Sequence, residues 1–301
     1  MSDKNQDRII RAIAVDGMYR ILAVDSTKTV QKARDLHDLS PLATIMMGRL
    51  ISAAAMMSAD LKEAGSTISL DLRGDGPLKG ALVICGHGGK LKGYAREPKL
   101  FYDDREENLN IAKHIGKGTI TITKSIGLKS PVSGICNLVS GEIGEDLSHY
   151  FYQSDQIPSA VSLGVLFNQD AVIHSAGGVI VQQMPQADAK TTEILIENIK
   201  KTPNFTDLMD MGLSLEQILA RFILKGMDWK TLDELPLVYE CDCNRDRFER
   251  ALITLGKEEL ADMTDGIDTV CSYCNTTYHF NKDNINDLIT TISESHEVQR
   301  S

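Results

Sequence analysis

Two short cysteine motifs near the C-terminus, Cys241-Asp-Cys243 and Cys271-Ser-Tyr-Cys274, contain four of the six cysteines of this 301-residue chain. A Cys-x-Cys pair and a Cys-x-x-Cys pair can each bind a tetrahedral zinc ion from one short turn, and together they fill its four positions with sulfur. A closed shell of four thiolates leaves no position for a reactive water. The motifs therefore predict one structural zinc ion, held by Cys241, Cys243, Cys271 and Cys274.

The same spacing permits a second chemistry, the formation of disulfides. Two residues of extended chain span at most about 6.6–7.2 Å, and a disulfide needs its Cα atoms about 4.4–6.8 Å apart. With modest bending Cys241 can reach Cys243, and a turn brings Cys271 within range of Cys274. Such bridges close very small loops and constrain the chain far less than a metal that joins residue 241 to residue 274. We therefore expect oxidation to release the metal and loosen this segment.

The composition is ordinary for a soluble globular protein, with 42% hydrophobic and 25% charged residues. The net charge is -10, of which residues 236–301, with 13 acidic and 6 basic side chains, carry -7 and the rest -3. So acidic a zinc unit should repel phosphate, which argues against a nucleic-acid partner. No membrane span is expected, because Arg49 interrupts the best apolar run, and the hydrophilic Met1–Asp7 is not a signal peptide. Metal-type cysteines without a signal peptide indicate the cytoplasm.

Residues 1–182 are interpreted as an α+β core domain of mixed sheet and helix. Two β-rich runs that flank Asp16-Gly17 predict a hairpin, and Ser40-Pro41 predicts the start of a buried helix that ends near Glu63. The methionines of this helix favour core filling over a flexible binding surface. Ile143–Gln153 is predicted to be a second helix. The pattern of apolar residues predicts strands at Thr67–Leu72, Ala81–Cys85, Lys92–Ala95, Thr119–Lys124, Ile135–Val139, Ser159–Leu166 and Val172–Val181.

The core domain carries no recognisable catalytic motif. Its glycine-rich turns, Gly74–Gly80 and Gly86–Gly89, lack the spacing of phosphate-binding loops, and the motifs Gly-x-Ser-x-Gly and His-Glu-x-x-His are absent from the sequence. Cys85 and Cys136 lie in or beside apolar strand-like runs and are interpreted as buried structural thiols. The sequence therefore predicts a protein that is not an enzyme.

Residues 183–235 are predicted to form a helical linker between the core domain and a zinc domain at residues 236–301. Ser214 and Gln217 form a capping-box pattern, and the apolar residues from Leu215 to Ile223 follow helical spacing. These helices need a surface to pack on. Two interpretations remain open: a plain helical subdomain, or a cover on the core sheet that can be released together with the zinc domain.

Eight segments that extend over nearly the whole chain carry a family pattern: Arg73–Gly80, Gly141–Asp146, Ser154–Pro158, Ala176–Gln182, Glu240–Leu252, Leu255–Leu260, Cys271–Cys274 and Tyr278–Phe280. Together they resemble the redox-regulated 33 kDa chaperonin family of heat-shock proteins. The mass of this chain, 33.1 kDa, agrees with that resemblance.

The resemblance implies an ATP-independent holdase of the bacterial cytoplasm. It implies that the reduced zinc form is inactive and that oxidants, helped by heat, form the disulfides Cys241–Cys243 and Cys271–Cys274, release zinc and unfold the C-terminal region. The apolar surface exposed in this way would bind unfolding client proteins. By the same resemblance, the active form is a homodimer.

Two other classes of protein share parts of this pattern. A zinc-ribbon module would use the same four ligands to bind nucleic acid, but the acidic C-terminal region argues against it. A dithiol oxidoreductase would place Cys271 and Cys274 at the N-terminus of a helix after a strand. Here Asn275-Thr-Thr is a poor helix start, and a second cysteine pair is available to share the metal. Salt-sensitive nucleic-acid binding and insulin reduction are the assays that would identify these alternatives.

Overall fold

The structure, a computed structural model, describes residues 6–100, 110–168, 172–263 and 265–298, the last five without their side chains. Most of the hydrophilic N-terminal stretch lies outside the described residues. The helices are α1 (Thr27–His37), α2 (Pro41–Ser58), α3 (Ile111–Ile115), α4 (Ile143–Tyr150), α5 (Ala189–Lys201), α6 (Phe205–Asp210), α7 (Leu215–Ile218), α8 (Arg245–Ile253), α9 (Lys257–Ala261) and α10 (Lys282–Val298). The π-helical turns Phe151–Asp155 and Leu219–Ile223 continue α4 and α7.

The strands are β1 (Arg8–Ala14), β2 (Tyr19–Asp25), β3 (Thr67–Gly74), β4 (Gly80–Gly86), β5 (Lys90–Ala95), β6 (Gly118–Ser125), β7 (Val132–Asn137), β8 (Ser159–Phe167), β9 (Ile173–Gln183), β10 (Trp229–Pro236), β11 (Val238–Tyr239), β12 (Ile267–Val270) and β13 (Thr277–Phe280). They belong to two compact units of the chain, the first ending at Glu240 and the second beginning at Cys241. The α+β class is therefore confirmed. The predicted division at residues 182 and 235 into core, linker and zinc domains stays a prediction.

The first unit contains two sheets. Sheet A has five antiparallel strands in the order β10-β1-β2-β9-β8, and sheet B has six strands in the order β11-β5-β4-β3-β6-β7. The predicted hairpin around Asp16-Gly17 is confirmed, since β1 pairs with β2 from Arg8 opposite Asp25 to Ala14 opposite Tyr19. The predicted strands Ala81–Cys85 and Lys92–Ala95 are confirmed as parts of β4 and β5, which pair antiparallel. The strand β11 is the one parallel partner in sheet B, beside β5.

Helix α2 lies between the two sheets and packs on strands of both. Gly48 makes this possible, because an added Cβ would lie 2.6 Å from a methyl carbon of Val165 in β8. The methionines Met46, Met47 and Met56 are fully buried, which confirms their prediction as core residues. By length and composition α2 could cross a membrane, with a mean hydropathy of 1.3, so the expectation that Arg49 excludes such a helix was wrong. Because 89% of its residues are buried inside the fold, α2 is a core helix here.

Four elements differ from the sequence prediction. Helix α2 ends at Ser58 rather than near Glu63, and a whole helix, α1, precedes it. The strand predicted at Ile135–Val139 instead spans Val132–Asn137. The segment predicted as a helical linker contains the strand β10, which pairs with β1 at the edge of sheet A.

The segment of residues 184–228, called the linker below, covers the face of sheet A that points away from α2. Strands β1 and β2 are buried on both faces: Ile9 and Leu22 face the α2 core, whereas Ile10 and Ile21 face the linker. The linker contributes a row of buried apolar side chains to this second core, namely Leu195, Phe205, Leu208, Leu215, Ile218, Leu219, Ile223 and Leu224. The linker therefore covers the core sheet, whereas its release together with the zinc domain stays a prediction.

Polar contacts attach the linker to sheet A. The guanidinium of Arg8 in β1 donates two hydrogen bonds, of 2.7 and 2.8 Å, to the carboxylate of Glu216 in α7. The hydroxyls of Tyr19 in β2 and Thr192 in α5 lie 2.8 Å apart. The predicted capping box at the start of α7 is present, with Ser214 and Gln217 satisfying each other's backbone N–H groups. These contacts fix α7 over β1.

We expect the Arg8–Glu216 pair to stabilise the fold only above acidic pH. Burial opposes ionisation of Glu216, but the hydrogen bonds and charge of Arg8, together with hydrogen bonds from the backbone and from Ser214, outweigh it and lower the pKa of this carboxyl from 4.5 to about 2. A lowered folded-state pKa contributes stability that is present above the unfolded pKa and is lost as pH falls towards the folded value. Glu216→Gln should therefore lower the free energy of unfolding at pH 6 by about 1 kcal/mol or less, because both side chains are partly exposed. The thermal midpoint should fall with it.

The midpoint difference between the native protein and Glu216→Gln should shrink as the pH is lowered from 5 to 3. Differential scanning fluorimetry of both proteins across this range provides the measurement. A difference that stays constant down to pH 3 would show that the carboxylate charge of Glu216 does not hold α7 on β1.

Candidate metal centre

The four cysteines of the two motifs lie together in the second unit. Cys241 Sγ lies 3.8 Å from Cys271 Sγ, and Cys243 Sγ lies 3.3 Å from Cys274 Sγ. All four sulfurs are within 4.8 Å of one another. A tetrahedral zinc ion with bonds of about 2.3 Å places its sulfurs about 3.8 Å apart. The cluster could therefore hold a metal ion, with one sulfur of each motif beside one of the other.

A tight turn presents the second cysteine pair. The backbone N–H groups of Cys274 and Asn275 both donate to the carbonyl of Cys271, and the N–H of Cys271 donates to the carbonyl of Thr276. Asn275 adopts a left-handed conformation with φ of 54°, which Asn tolerates better than most residues. The turn brings both thiols to one side and leads into β13. Cys271 and Cys274 are therefore not at a helix N-terminus, the arrangement that a dithiol oxidoreductase needs.

The first cysteine pair lies between β11 and α8. Asn244 caps α8, its side-chain oxygen accepting from the N–H of Arg247 at 3.0 Å. The guanidinium of Arg247 in turn contacts the carboxylate of Asp242 at 3.1 Å. The cap and the ion pair hold the segment between Cys241 and Cys243 in one conformation.

Arg245 joins the two halves of the centre, and sequence reasoning assigned it no role. Its guanidinium donates to the carbonyl of His279 and to the side chain of Asn284, both at 2.9 Å. It also lies over the ring of Phe280, 4.2 Å from the centroid. The signal was its position two residues after Cys243, inside the segment that carries the family resemblance.

Burial and hydrogen bonding set the ionisation of the thiols in opposite directions. Burial raises the pKa of Cys241 to about 12 and raises that of Cys271. Burial also opposes ionisation of Cys274, but hydrogen bonds from Thr276 outweigh it and lower its pKa to about 7. A cation among the sulfurs would offset the cost of burying thiolates, because a coordinating thiol is deprotonated. The donor set thus fits zinc, whose structural sites include shells of four cysteine sulfurs.

The hydrophobic core of the second unit is small. Within the part of this unit that the structure describes, its buried apolar side chains are Leu252, Leu260, Phe280, Ile285, Leu288 and Ile292. Units of this size usually need a metal or disulfides to fold stably, because they bury too small a fraction of their surface. The unit therefore has a structural need for the cross-link that the cluster can provide.

The other two cysteines lie apart from this cluster, as predicted. Cys85 and Cys136 are buried in β4 and β7. Cys85 donates to the hydroxyl of Ser58 at 3.2 Å, and burial raises its pKa to about 12. Among the residues that the structure describes, Cys241, Cys243, Cys271 and Cys274 form the one group of three or more potential ligands close enough to share an ion.

The fold and the site define an α+β protein with a four-cysteine cluster on a separate small C-terminal unit. The model of the Hsp33 protein family matches residues 7–281. The 33 kDa chaperonin of Desulforamulus reducens is 39% identical over 293 residues, which cover 96% of this chain and 99% of that protein. The 33 kDa chaperonin of Clostridium perfringens strain SM101 is 40% identical over 94% of this chain and 91% of its own length.

A solved structure agrees with these relatives. The crystal structure of the 33 kDa chaperonin (heat shock protein 33 homolog) from Thermotoga maritima matches with a TM-score of 0.87 at 32% identity, covering 96% of this chain and 100% of that one. The chain therefore belongs to the Hsp33 family, which is a family of chaperones.

Proposed function

We propose that this protein is a redox-regulated, ATP-independent holdase that zinc keeps inactive in the reduced state. The observation that carries the proposal is the closed cluster of four thiols on a unit with only a small core of its own. Oxidation of such a cluster removes the ligands of the metal and the cross-link of the unit at the same time. The same chemistry therefore senses an oxidant and changes the fold.

Cys241, Cys243, Cys271 and Cys274 would hold one zinc ion. When bound, zinc would cross-link the two motifs and keep the four sulfurs as thiolates. In the oxidation step, two thiolates lose two electrons to one peroxide molecule and form one disulfide. With two protons, the peroxide becomes two waters. Two such steps consume all four ligands.

We infer from the family resemblance that the disulfides are Cys241–Cys243 and Cys271–Cys274. Bridges within each motif close loops of three and four residues, so they leave the two motifs free to separate. The nearest sulfur neighbours are instead Cys241 with Cys271 and Cys243 with Cys274. Bridges between these neighbours would keep the motifs joined and the unit closed. Disulfide mapping by mass spectrometry therefore distinguishes an opening switch from a closing one.

Opening of the second unit is proposed to release the linker from sheet A. The chain continues without a break from β10 and β11 into Cys241. The linker packs imperfectly: a cavity of about 130 Å³ between sheet A and the linker is lined by Val161 and Val179 on one side and by Ile199 and Phe205 on the other. The apolar side chains that line this partly open gap make fewer contacts across it than they would in a close-packed core, which weakens the packing of the linker on sheet A.

The released surfaces would bind the client. Ile218, Leu219 and Ile223 of the linker and Ile10 and Ile21 of sheet A would become exposed together. An apolar surface of this kind captures other apolar surfaces, such as those of unfolding proteins. We propose unfolding client proteins as the partners and a homodimer as the active form. We further propose a cytoplasmic location, with no catalytic activity and no nucleic-acid or membrane partner.

A light-scattering assay on an aggregating client tests this proposal. The reduced, zinc-loaded protein should leave aggregation unchanged, and the same protein treated with peroxide should suppress it at a comparable molar ratio, without ATP. Equal protection by the two forms would refute redox regulation. No protection by either form would refute the holdase role.

A further inference from the structure

The hydroxyl of Tyr278 lies against one of the four sulfurs. Tyr278 Oη is 3.2 Å from Cys243 Sγ, within hydrogen-bonding distance for sulfur. Two contacts fix the position of this hydroxyl. Its strand β13 pairs with β12, where Tyr278 is opposite Thr269, and its ring packs on Phe248 of α8 with the centroids 4.7 Å apart. The strand pairing and the packing on Phe248 therefore hold the Tyr278 hydroxyl beside Cys243.

The hydrogen-bond partners of the sulfurs differ in kind. Backbone hydrogen bonds from Cys243 and Tyr273 reach Cys241 and Cys271, so substitution of a side chain does not remove them. Cys243 instead lies against a side-chain hydroxyl, that of Tyr278 in β13, and Cys274 lies against the hydroxyl of Thr276. The bond at Cys243 can therefore be removed without changing a ligand or its turn.

We propose that Tyr278 is a positioning residue that donates a hydrogen bond to the Cys243 thiolate, strengthens its hold on the metal and restrains its oxidation by peroxide. A hydrogen bond to a ligand atom orients it and tunes the metal, and its loss commonly weakens metal binding. It also draws electron density from the sulfur, and the nucleophilicity of a thiolate falls with its basicity. Tyr278 thus helps to set the amount of oxidant at which the cluster opens.

The step that Tyr278 restrains is attack of the Cys243 sulfur on a peroxide oxygen. The sulfur gains an oxygen as a sulfenic acid and loses two electrons, while the O–O bond breaks and the other oxygen leaves as hydroxide. A second thiolate of the cluster then attacks the sulfenic sulfur and displaces its oxygen as hydroxide, which takes up a proton to become water. One peroxide has then been reduced and one disulfide formed.

The test uses the full-length, reduced, zinc-loaded protein and the variant Tyr278→Phe, which keeps the ring on Phe248 and removes only the hydroxyl. Competition with a zinc-binding dye should show an affinity about 10-fold weaker. Zinc release after addition of peroxide should be several-fold faster. At less than one equivalent of peroxide, mass spectrometry should find a larger fraction of Cys243 oxidised, relative to Cys274, than in the native protein.

Thr269→Val is the matched control. It removes a hydroxyl from the same hairpin that contacts the carbonyl of Tyr278 and no sulfur. Its zinc affinity, release rate and oxidation pattern should match those of the native protein. If Tyr278→Phe binds and releases zinc like the native protein, the role of Tyr278 is overturned. It is also overturned if Thr269→Val changes zinc affinity and release as much as Tyr278→Phe does, because the hairpin as a whole would then be loosened.

This inference rests on the proposed function, in which zinc release activates the protein. Different results refute the two proposals. If peroxide releases zinc from the native protein and from Tyr278→Phe at the same rate and with the same cysteine pattern, only the role of Tyr278 is refuted. If peroxide releases no zinc from the native protein, the redox switch itself is refuted, and the restraint on oxidation with it.

Discussion

Replacement of Cys271 by serine is expected to remove the bound zinc and to unfold the chain from Cys241 onward, while the first unit stays folded. Binding of a structural zinc contributes about 10–16 kcal/mol of apparent free energy in small zinc domains. The stability of a whole domain is only about 5–15 kcal/mol. With a core of six buried apolar side chains, the second unit cannot replace that contribution. Loss of one of four ligands should therefore be enough to unfold it.

Limited trypsin digestion and zinc quantification check this result. Arg245, Arg247, Arg250 and Lys257 provide cleavage sites in and beside α8. The reduced native protein should resist cleavage there, and Cys271→Ser should be cut rapidly. Cys85→Ser is the matched control, because it removes a buried thiol that lies outside the cluster. A Cys271→Ser protein that contains one zinc per chain and resists trypsin like the native protein would contradict the structural role of the metal.

Replacement of Ile218 by aspartate is expected to activate the protein without oxidation. Ile218 is fully buried between the linker and sheet A. Truncation of such a side chain costs about 2–5 kcal/mol, and an unpaired buried carboxylate costs more. The helix α7 should therefore leave sheet A while the four thiols keep their zinc. The reduced variant should suppress client aggregation to a degree close to that of the oxidised native protein.

Hydrogen exchange and light scattering on the same samples test this activation. Ala220→Asp is the matched control, because it adds the same charge at an exposed position two residues away and should leave the protein inactive when reduced. Glu216→Arg places two cations together beside β1. It should also activate the reduced protein, but less than Ile218→Asp does. If α7 exchanges freely in Ile218→Asp and the reduced, folded protein still fails to protect the client, release of the linker is not the activating event.

Sequence reasoning identified the four-cysteine cluster because its signal is local. Two chelating pairs can be recognised from spacing alone, whichever fold surrounds them. Arg245 and Tyr278 were not given roles, because their contacts depend on tertiary structure. Arg245 meets His279 and Asn284 from more than thirty residues away. The spacing of the cysteines carries no information about these partners.

Errors in the fold prediction likewise arose where the stabilising partner is distant in sequence. Helix α1 was missed because the side chain of its N-cap residue, Ser26, makes no capping hydrogen bond. The carboxylate of the distant Asp7 accepts from the N–H groups of Lys28 and Thr29 instead. Strand β10 was taken for part of a helical segment because it carries Asp233 and Glu234. Their partners are Arg11 and Arg8 on the neighbouring strand β1, at 2.9 and 3.1 Å. The bounds predicted for strand β7 were displaced because β7 is an exposed edge strand, where the apolar pattern does not specify the register.

The linker illustrates what periodicity can and cannot provide. The apolar stripe from Leu215 to Ile223 correctly predicted a buried helical face, but a stripe does not identify the surface that it covers. The structure supplies that surface as the outer face of sheet A. It also shows that the stripe continues through a π-helical turn, Leu219–Ile223, which a 3.6-residue period does not predict.

The most direct test of a metal-locked, oxidation-opened fold is hydrogen exchange of the second unit, with the zinc content measured before and after peroxide. The reduced protein should contain one zinc per chain and protect the amides of α8 and of β12–β13. The peroxide-treated protein should have lost zinc and exchange those amides within seconds, while strands β1 and β2 remain protected. Undiminished protection of α8 and β12–β13 after complete loss of zinc would contradict the proposed switch.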